Sequence, residues 1–296
     1  MAETEIHESK MKERLRPIFR WLNPEAMGEF LATFILMTFG IGSVAQVVLG
    51  KGNFGDFLSI NFGWGLGVTF GCYVAGNVTG AHMNPAMTIA LAVYKKFPWR
   101  KVPMYITAQM LGSFIASAVC HAIYIEGINA YDGGVRQTPP HVNATAQIWA
   151  TYPQPYLSTA AGFFDQIVGT GLLALCVFAL VDDKNWAPPD YLKPLLIGFV
   201  VLNIGDTFGL NCGYAINPAR DFAPRLWTLI AGWGTPTFVN GNYWFWVPIV
   251  GPILGAIVGG GMYMFFIEMR WDEIRKSSVA PANETELEQV RTDKEG

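Results

Sequence analysis

"GYAINPARDFAPRL", residues 213–226, closes an apolar stretch by placing Asn217, Pro218 and Arg220 where a membrane helix would be expected to run on. Asn is a preferred helix cap and Pro a preferred first helical residue, so the motif marks the start of a helix. The apolar run behind it, Ala219 to about Ile230, rises ~18 Å, roughly half a bilayer. A second copy, "GAHMNPAMTIAL" at 80–91, carries Asn84, Pro85 and Ala86 and launches an equally short run to about Tyr94. Each motif follows two long apolar stretches and precedes a third. Three spans per half is an odd number, so the halves sit upside down relative to each other, as an inverted repeat. Two half-helices then enter from opposite faces, meet Asn84 to Asn217 near the midplane, and act together as a seventh span.

Composition agrees. Of 296 residues 51% are hydrophobic and only 15% charged, against ~25% charged in an ordinary soluble domain. Runs long enough to cross a ~30 Å hydrocarbon core lie near Met27–Leu49, Ser59–Val78, Val102–Ile125, Ala160–Val181, Tyr191–Leu210 and Trp244–Glu268. The expected fold is an all-α membrane protein of six transmembrane helices plus two re-entrant half-helices. Residues 1–24 form a polar N-terminal segment, 25–270 the membrane domain with repeats at about 25–126 and 159–270, and 271–296 a charged, disordered tail.

With both termini on one side, all of the twenty Lys and Arg but Lys51, Arg136, Arg220 and Arg225 fall on that side, a bias that makes it the cytosol. The plasma membrane is the expected location. Basic residues gather at segment ends, a net charge of -3 forms no stripe, and nucleic acid is excluded as a partner. No apolar stretch in the first 24 residues resembles a cleavable signal. The "NAT" at Asn143 lies in the outer loop between the third and fourth spans and is a glycosylation acceptor; the similar triplets at Asn77 and Asn283 face the cytosol. Cys72, Cys120, Cys176 and Cys212 are spread through apolar segments without paired spacing and are expected as buried thiols. His7, His82, His121 and His141 show no ligand spacing, so neither a metal nor a cofactor is expected.

The residues before each Asn cannot be helical, so the carbonyls of Gly80, Ala81, His82, Met83, Ala215 and Ile216 lack intrahelical donors. At membrane depth such backbone is tolerated where it lines a water-filled cavity. Both helix N-termini point their partial positive charge at the centre, repelling cations and protons while neutral hydroxyl compounds pass. The side-chain amides of Asn84 and Asn217 are offered to the passing oxygens, and His82, in the inner wall, is a candidate pH-sensitive group.

With "GEFLATF" at 28–34, "TGAHMNPA" at 79–86 and "NPARDFAPRL" at 217–226, the chain resembles the major intrinsic proteins, and among them the glycerol-conducting aquaglyceroporins, over about residues 25–270. The resemblance implies a homotetramer with one pore per subunit, conducting glycerol and water, with no enzymatic activity. It places the selectivity filter on Trp64, Gly205, Tyr214 and Arg220: Gly205 leaves room for the Tyr214 ring, and Trp64 and Tyr214 form an apolar corner facing the guanidinium. It makes Tyr124, Asp221, Arg225, Pro248 and Ile249 markers of glycerol conductors. Asp221 pairs with Arg225 one turn on and shapes the loop without touching solute. Glu29 and Asp165 are implied to brace the re-entrant loops by accepting backbone N–H bonds. The Tyr214 hydroxyl either narrows the slot or bonds a substrate, and Asp206 either attracts cations to the mouth or caps the fifth span.

Urea and other small neutral solutes satisfy the same requirements. Three other readings use the same half-helices: a water-selective channel, a secondary transporter of polyols, which needs a coupling-ion site, and a scaffold that has lost transport. "GKGNFG" at 50–55 matches a nucleotide-loop pattern without the strand that motif requires. Gly251, Gly255 and Gly259, four apart on the sixth span, are expected to pack a helix closely within the subunit.

Overall fold

A computed structural model describes residues 22–278 of the chain. Its helices are α1 (Pro24–Leu49), α2 (Phe57–Thr79), α3 (Pro85–Val93), α4 (Val102–Asp132), α5 (Thr159–Val181), α6 (Lys193–Cys212), α7 (Pro218–Thr228), α8 (Pro236–Tyr243), α9 (Val247–Phe266) and α10 (Trp271–Ser278). Six of them, α1, α2, α4, α5, α6 and α9, are long and apolar enough to cross a membrane. α3 and α7, of 9 and 11 residues, are the two half-helices.

Local chemistry sets most boundaries. Asn23 caps α1 by accepting from the N–H groups of Glu25 and Ala26, with Pro24 in the first turn. Asp56 and Ser59 form a reciprocal capping box on α2. α2 and α6 both end on a left-handed glycine, Gly80 at φ 80° and Gly213 at φ 77°, which turns the chain into the re-entrant loops. α4 runs on past Ile125 to Asp132 because its last turns have partners of their own: Ile128 is buried, and the Asp132 carboxylate accepts from Arg136 at 2.8 Å and from the Thr145 hydroxyl of the following loop at 3.1 Å.

The halves interlock. α3 packs on α9 and α7 on α4, so each half-helix rests against the last span of the other half. Tyr94, capping α3, donates to the Ile257 carbonyl of α9 at 2.5 Å, and Ser113 of α4 donates to the Ala219 carbonyl of α7 at 2.7 Å. The glycine stripe of α9 works inside the subunit: a Cβ on Gly259 would lie 1.9 Å from the Gly171 carbonyl oxygen of α5, and one on Gly255 2.4 Å from that of Ile167.

The tail does not begin as irregular chain. It opens as α10, which Trp271 fastens by donating from Nε1 to Asp182 at 2.8 Å. The remainder of the tail, residues 279–296, lies outside the described residues, as does the N-terminal segment up to residue 21.

Candidate pore and selectivity filter

The two re-entrant loops follow one backbone plan. After the left-handed glycine, Ala81 and Met83 in the first loop hold φ of 48° and 49°, and Tyr214 and Ile216 in the second hold 37° and 44°. Positive φ at four side-chain-bearing residues, one of them β-branched, stores strain that only a well-braced site can keep. Asn84 and Asn217 then start α3 and α7, each Oδ1 accepting from the N–H two residues on, at 2.9 and 3.0 Å. Their amides cross over: Asn84 Nδ2 donates to the Ile216 carbonyl at 2.9 Å and Asn217 Nδ2 to the Met83 carbonyl at 2.8 Å. The half-helices therefore meet tip to tip. Each amide spends one of its two N–H groups on this exchange and keeps one. The exchange also occupies Met83 and Ile216, two of the six carbonyls expected to face solute. Those of Gly80, Ala81, His82 and Ala215 accept from no donor among the described residues, and neither do those of Gly213 and Tyr214.

Glu29 reaches into the first loop. Fully buried, it accepts from the N–H groups of His82 (2.8 Å) and Met83 (2.9 Å), from Thr79 Oγ1 (2.7 Å) and from Gln109 Nε2 (2.7 Å). Asp165 does not repeat this. Its carboxylate takes Asn211 Nδ2 at 3.0 Å and Cys212 Sγ at 3.5 Å. The brace of the second loop is its neighbour Gln166, whose Oε1 accepts from the Ile216 N–H at 3.0 Å. Asp165 projects from α5 about 100° away from Gln166, toward the end of α6. A sequence signal for Gln166 exists: it stands four residues before the buried Thr170, as Glu29 stands four before the buried Thr33.

An outer vestibule of about 880 Å³ and an inner cavity of about 390 Å³ share three lining residues, Trp64, Tyr214 and Arg220. The constriction is where they meet. Below it, spans contribute apolar side chains such as Leu36, Val68, Leu173 and Val201, while the loops contribute Gly80 to Asn84 and Ala215 to Asn217. One lining is hydrocarbon and the other peptide. Gly205 lines neither cavity. A Cβ there would lie 2.7 Å from Tyr214 Cζ and 2.5 Å from Asn61 Oδ1, so the ring and the amide occupy the space a side chain would need.

Two filter details differ from the sequence reading. Arg220 does not face the aromatic corner across a gap: its guanidinium lies 4.0 Å above the Trp64 ring, a cation–π stack with no space for solute between the two. Its Nη1 donates to the Trp149 carbonyl at 2.8 Å, and the remaining guanidinium N–H groups have no acceptor among the described residues. The Tyr214 hydroxyl is committed to Asn61, donating to its Oδ1 at 2.5 Å. Asp206 neither stands free nor caps a helix; it accepts from Asn61 Nδ2 at 2.6 Å.

Behind the filter, Asp221 and Arg225 form a fully buried ion pair at 2.9 Å on α7. Asp221 also accepts from the Thr151 N–H (2.7 Å) and hydroxyl (2.6 Å), and Arg225 donates to the carbonyls of Thr151 (2.5 Å) and Thr237 (2.6 Å). Asp221 thus shapes the loop from outside the lumen. Asn61, Gln109, Trp149, Thr151 and Gln166 are the site residues that sequence reasoning missed; three of them are neutral polar side chains within or facing apolar helices, and two lie in the long outer loop.

The other markers stand away from the constriction. Pro248 and Ile249 begin α9, and Tyr124, on α4, accepts from Gln46 Nε2 at 3.3 Å. His82 lines the inner cavity with its ring against Phe97 and Tyr105 at 4.7 and 5.0 Å and Nδ1 3.1 Å from Thr88 Oγ1. Asn143 is exposed on the loop between α4 and α5.

The family model for the major intrinsic proteins matches residues 21–263. Aquaporin-10 of Milnesium tardigradum is 48% identical over 278 residues, covering 88% of this chain and 68% of that protein. Human aquaporin-9 is 45% identical over 252 residues, 85% of each. The crystal structure of the aquaglyceroporin from Plasmodium falciparum superimposes with a TM-score of 0.76 at 36% identity, covering 84% of this chain and 98% of that one.

Proposed function

The chain belongs to the major intrinsic protein family, and from that premise we infer how each part of its pore serves conduction. The protein is an integral, multi-pass membrane channel of the aquaglyceroporin type, conducting glycerol and water, and not an enzyme. The observation that carries the residue roles is the composition of the constriction: two aromatic rings and one guanidinium over a glycine that leaves them room.

A linear polyol has a hydrocarbon edge and a hydroxyl edge. Trp64 and Tyr214 cover the first, and burying it offsets lost hydration at roughly 25 cal/mol per Å² of apolar area. Free guanidinium N–H groups of Arg220 donate to the hydroxyl oxygens, and the undonated carbonyls of Gly80, Ala81, His82, Gly213, Tyr214 and Ala215 accept the hydroxyl protons. At the midplane the remaining N–H of Asn84 and of Asn217 orients each oxygen in turn. The two helix tips and the guanidinium oppose cations and hydronium. Asp221, Arg225 and Glu29 act by holding the loops; Pro248, Ile249 and Tyr124 shape the scaffold.

We further propose that both termini are cytosolic, on the side favoured by Lys and Arg, that the membrane is the plasma membrane, and that Asn143 is open to glycosylation outside. A homotetramer is supported by Asn203, Asp206 and Thr207, exposed polar residues on the spanning helix α6; polar side chains at the lipid are costly, and a second copy would cover them.

Proteoliposomes holding the full chain test this by stopped-flow light scattering. Both osmotic water flow and glycerol uptake should rise over empty vesicles, with uptake linear in glycerol and indifferent to ion gradients. Saturable uptake that follows a proton or sodium gradient would favour a transporter instead.

A further inference from the structure

We propose that Asp206 is a positioning residue for selectivity: through Asn61 it fixes the Tyr214 hydroxyl as a hydrogen-bond donor to the protein, so that this corner of the filter offers solute an acceptor and no donor. The inference rests on the glycerol-channel reading above and names a residue in that filter which touches no solute.

The direction of the chain follows from chemistry. An ionised carboxylate accepts only, so the 2.6 Å contact between Asp206 Oδ1 and Asn61 requires the amide's NH2 on that side. The amide's carbonyl oxygen then faces Tyr214, 2.5 Å away, and the hydroxyl has to give its proton to it. Asn61 is fully buried on α2, one turn before Trp64, so both side chains of the aromatic corner are set from one helix. The relay crosses the bare Cα of Gly205, where a Cβ would strike Asn61 Oδ1 and Tyr214 Cζ together. That is a second reason for glycine there, beside room for the ring.

The consequence concerns solutes with hydroxyl groups. Arg220 is a pure donor. Were Tyr214 free to donate as well, a polyol hydroxyl in the constriction would find donors on two sides and only the loop carbonyls left to take its own proton, one acceptor fewer in a dehydrated slot where an unmet polar group is costly. With the Tyr214 proton committed to Asn61, the phenolic oxygen accepts, and the filter is complementary to a hydroxyl that both gives and takes. Replacing the carboxylate by an amide removes the constraint, because Asn61 can then turn its NH2 toward Tyr214 and release the phenolic proton.

The test uses the full chain in proteoliposomes, as wild type, Asp206→Asn, Tyr214→Phe and the double variant, each measured for glycerol and water permeability. Asp206→Asn should lower the glycerol-to-water ratio about fivefold, the net effect of one ordinary hydrogen bond. In the Tyr214→Phe background the same change should have no further effect, since no hydroxyl is left to orient. Asp206→Ser, which also loses the acceptor-only character, should reproduce the shift should Asp206→Asn not assemble. An unchanged ratio in a conducting Asp206 variant, or the same drop with and without the Tyr214 hydroxyl, overturns the relay alone. A wild type without glycerol flux overturns the channel reading and the relay with it.

Discussion

In the first re-entrant loop Glu29 accepts four hydrogen bonds, two of them from backbone N–H groups; in the second, Gln166 accepts one and gives its own amide to the sulfur of Cys212 at 3.2 Å. The half-helices differ in the same sense. α3, "PAMTIALAV", carries no charged residue, whereas α7, "PARDFAPRLWT", carries Arg220, Asp221 and Arg225. Yet the backbones share their left-handed glycine, their two positive-φ residues and their Asn cap. A carboxylate suits the first loop because four donors converge on its roughly four lone-pair sites. The second loop already has its negative charge, Asp221, placed against Arg225 and the outer loop, so a neutral acceptor suffices. The first half is held by one buried acid reaching into the loop, and the second is clamped from behind its half-helix by a pair that does not engage Arg220.

Substitutions can break this contrast in a definite order. Glu29→Ala strands two backbone N–H groups, a hydroxyl and an amide at once, and should cost ~4 kcal/mol or more, read as loss of folded protein or a large fall in detergent-solubilised Tm. Asp221→Ala leaves Arg225 buried without its counter-ion and should cost ~3 kcal/mol, with glycerol flux falling as the filter loop shifts. Removing Asp221 and Arg225 together, as Asp221→Ala with Arg225→Leu, should recover part of that loss. Gln166→Ala strands a single N–H and should cost only ~1–2 kcal/mol. Equal penalties for Glu29→Ala and Gln166→Ala would show that the loops are held alike after all.

The smallest effect lies where α10 docks on the end of α5. Burial pushes the Asp182 carboxyl up, but hydrogen bonds from Trp271 and Tyr263 and the Lys184 N–H, with Lys96 nearby, outweigh it and hold the group below its ordinary value. Its contribution to docking α10 is therefore complete above the unfolded value of ~3.9 and fades as pH falls below that, through the lowered folded value. Hydrogen exchange over 271–274 should be constant from pH 8 to pH 5 once corrected for intrinsic rates, and should rise in Asp182→Ala at neutral pH.

Much of this was legible in the residues. Asn-Pro at two matching places predicts two half-helices because cap and first-turn preferences are local, and the six spans follow from hydrophobic length. Asp221 and Arg225 were readable as a pair from their helical spacing. What escaped depended on contacts between distant segments. Nothing local marks Trp149 as the carbonyl that holds Arg220, since that partnership spans 71 residues. A carboxylate in an apolar helix is a stronger sequence signal than an amide, so Asp165 masks Gln166, whose side chain is the one that reaches the loop. Asp206 and the Tyr214 hydroxyl are connected only through Asn61, 145 and 153 residues away along the chain.

The central claim is that the constriction sorts solutes by the room and polarity around Gly205, and one pair of permeabilities tests it directly. In Gly205→His combined with Tyr214→Ala, which fills the glycine's space while emptying the ring's, stopped-flow scattering should show glycerol permeability falling by ~tenfold or more with water flow largely retained. Glycerol and water falling by the same factor, or neither changing, would contradict the account.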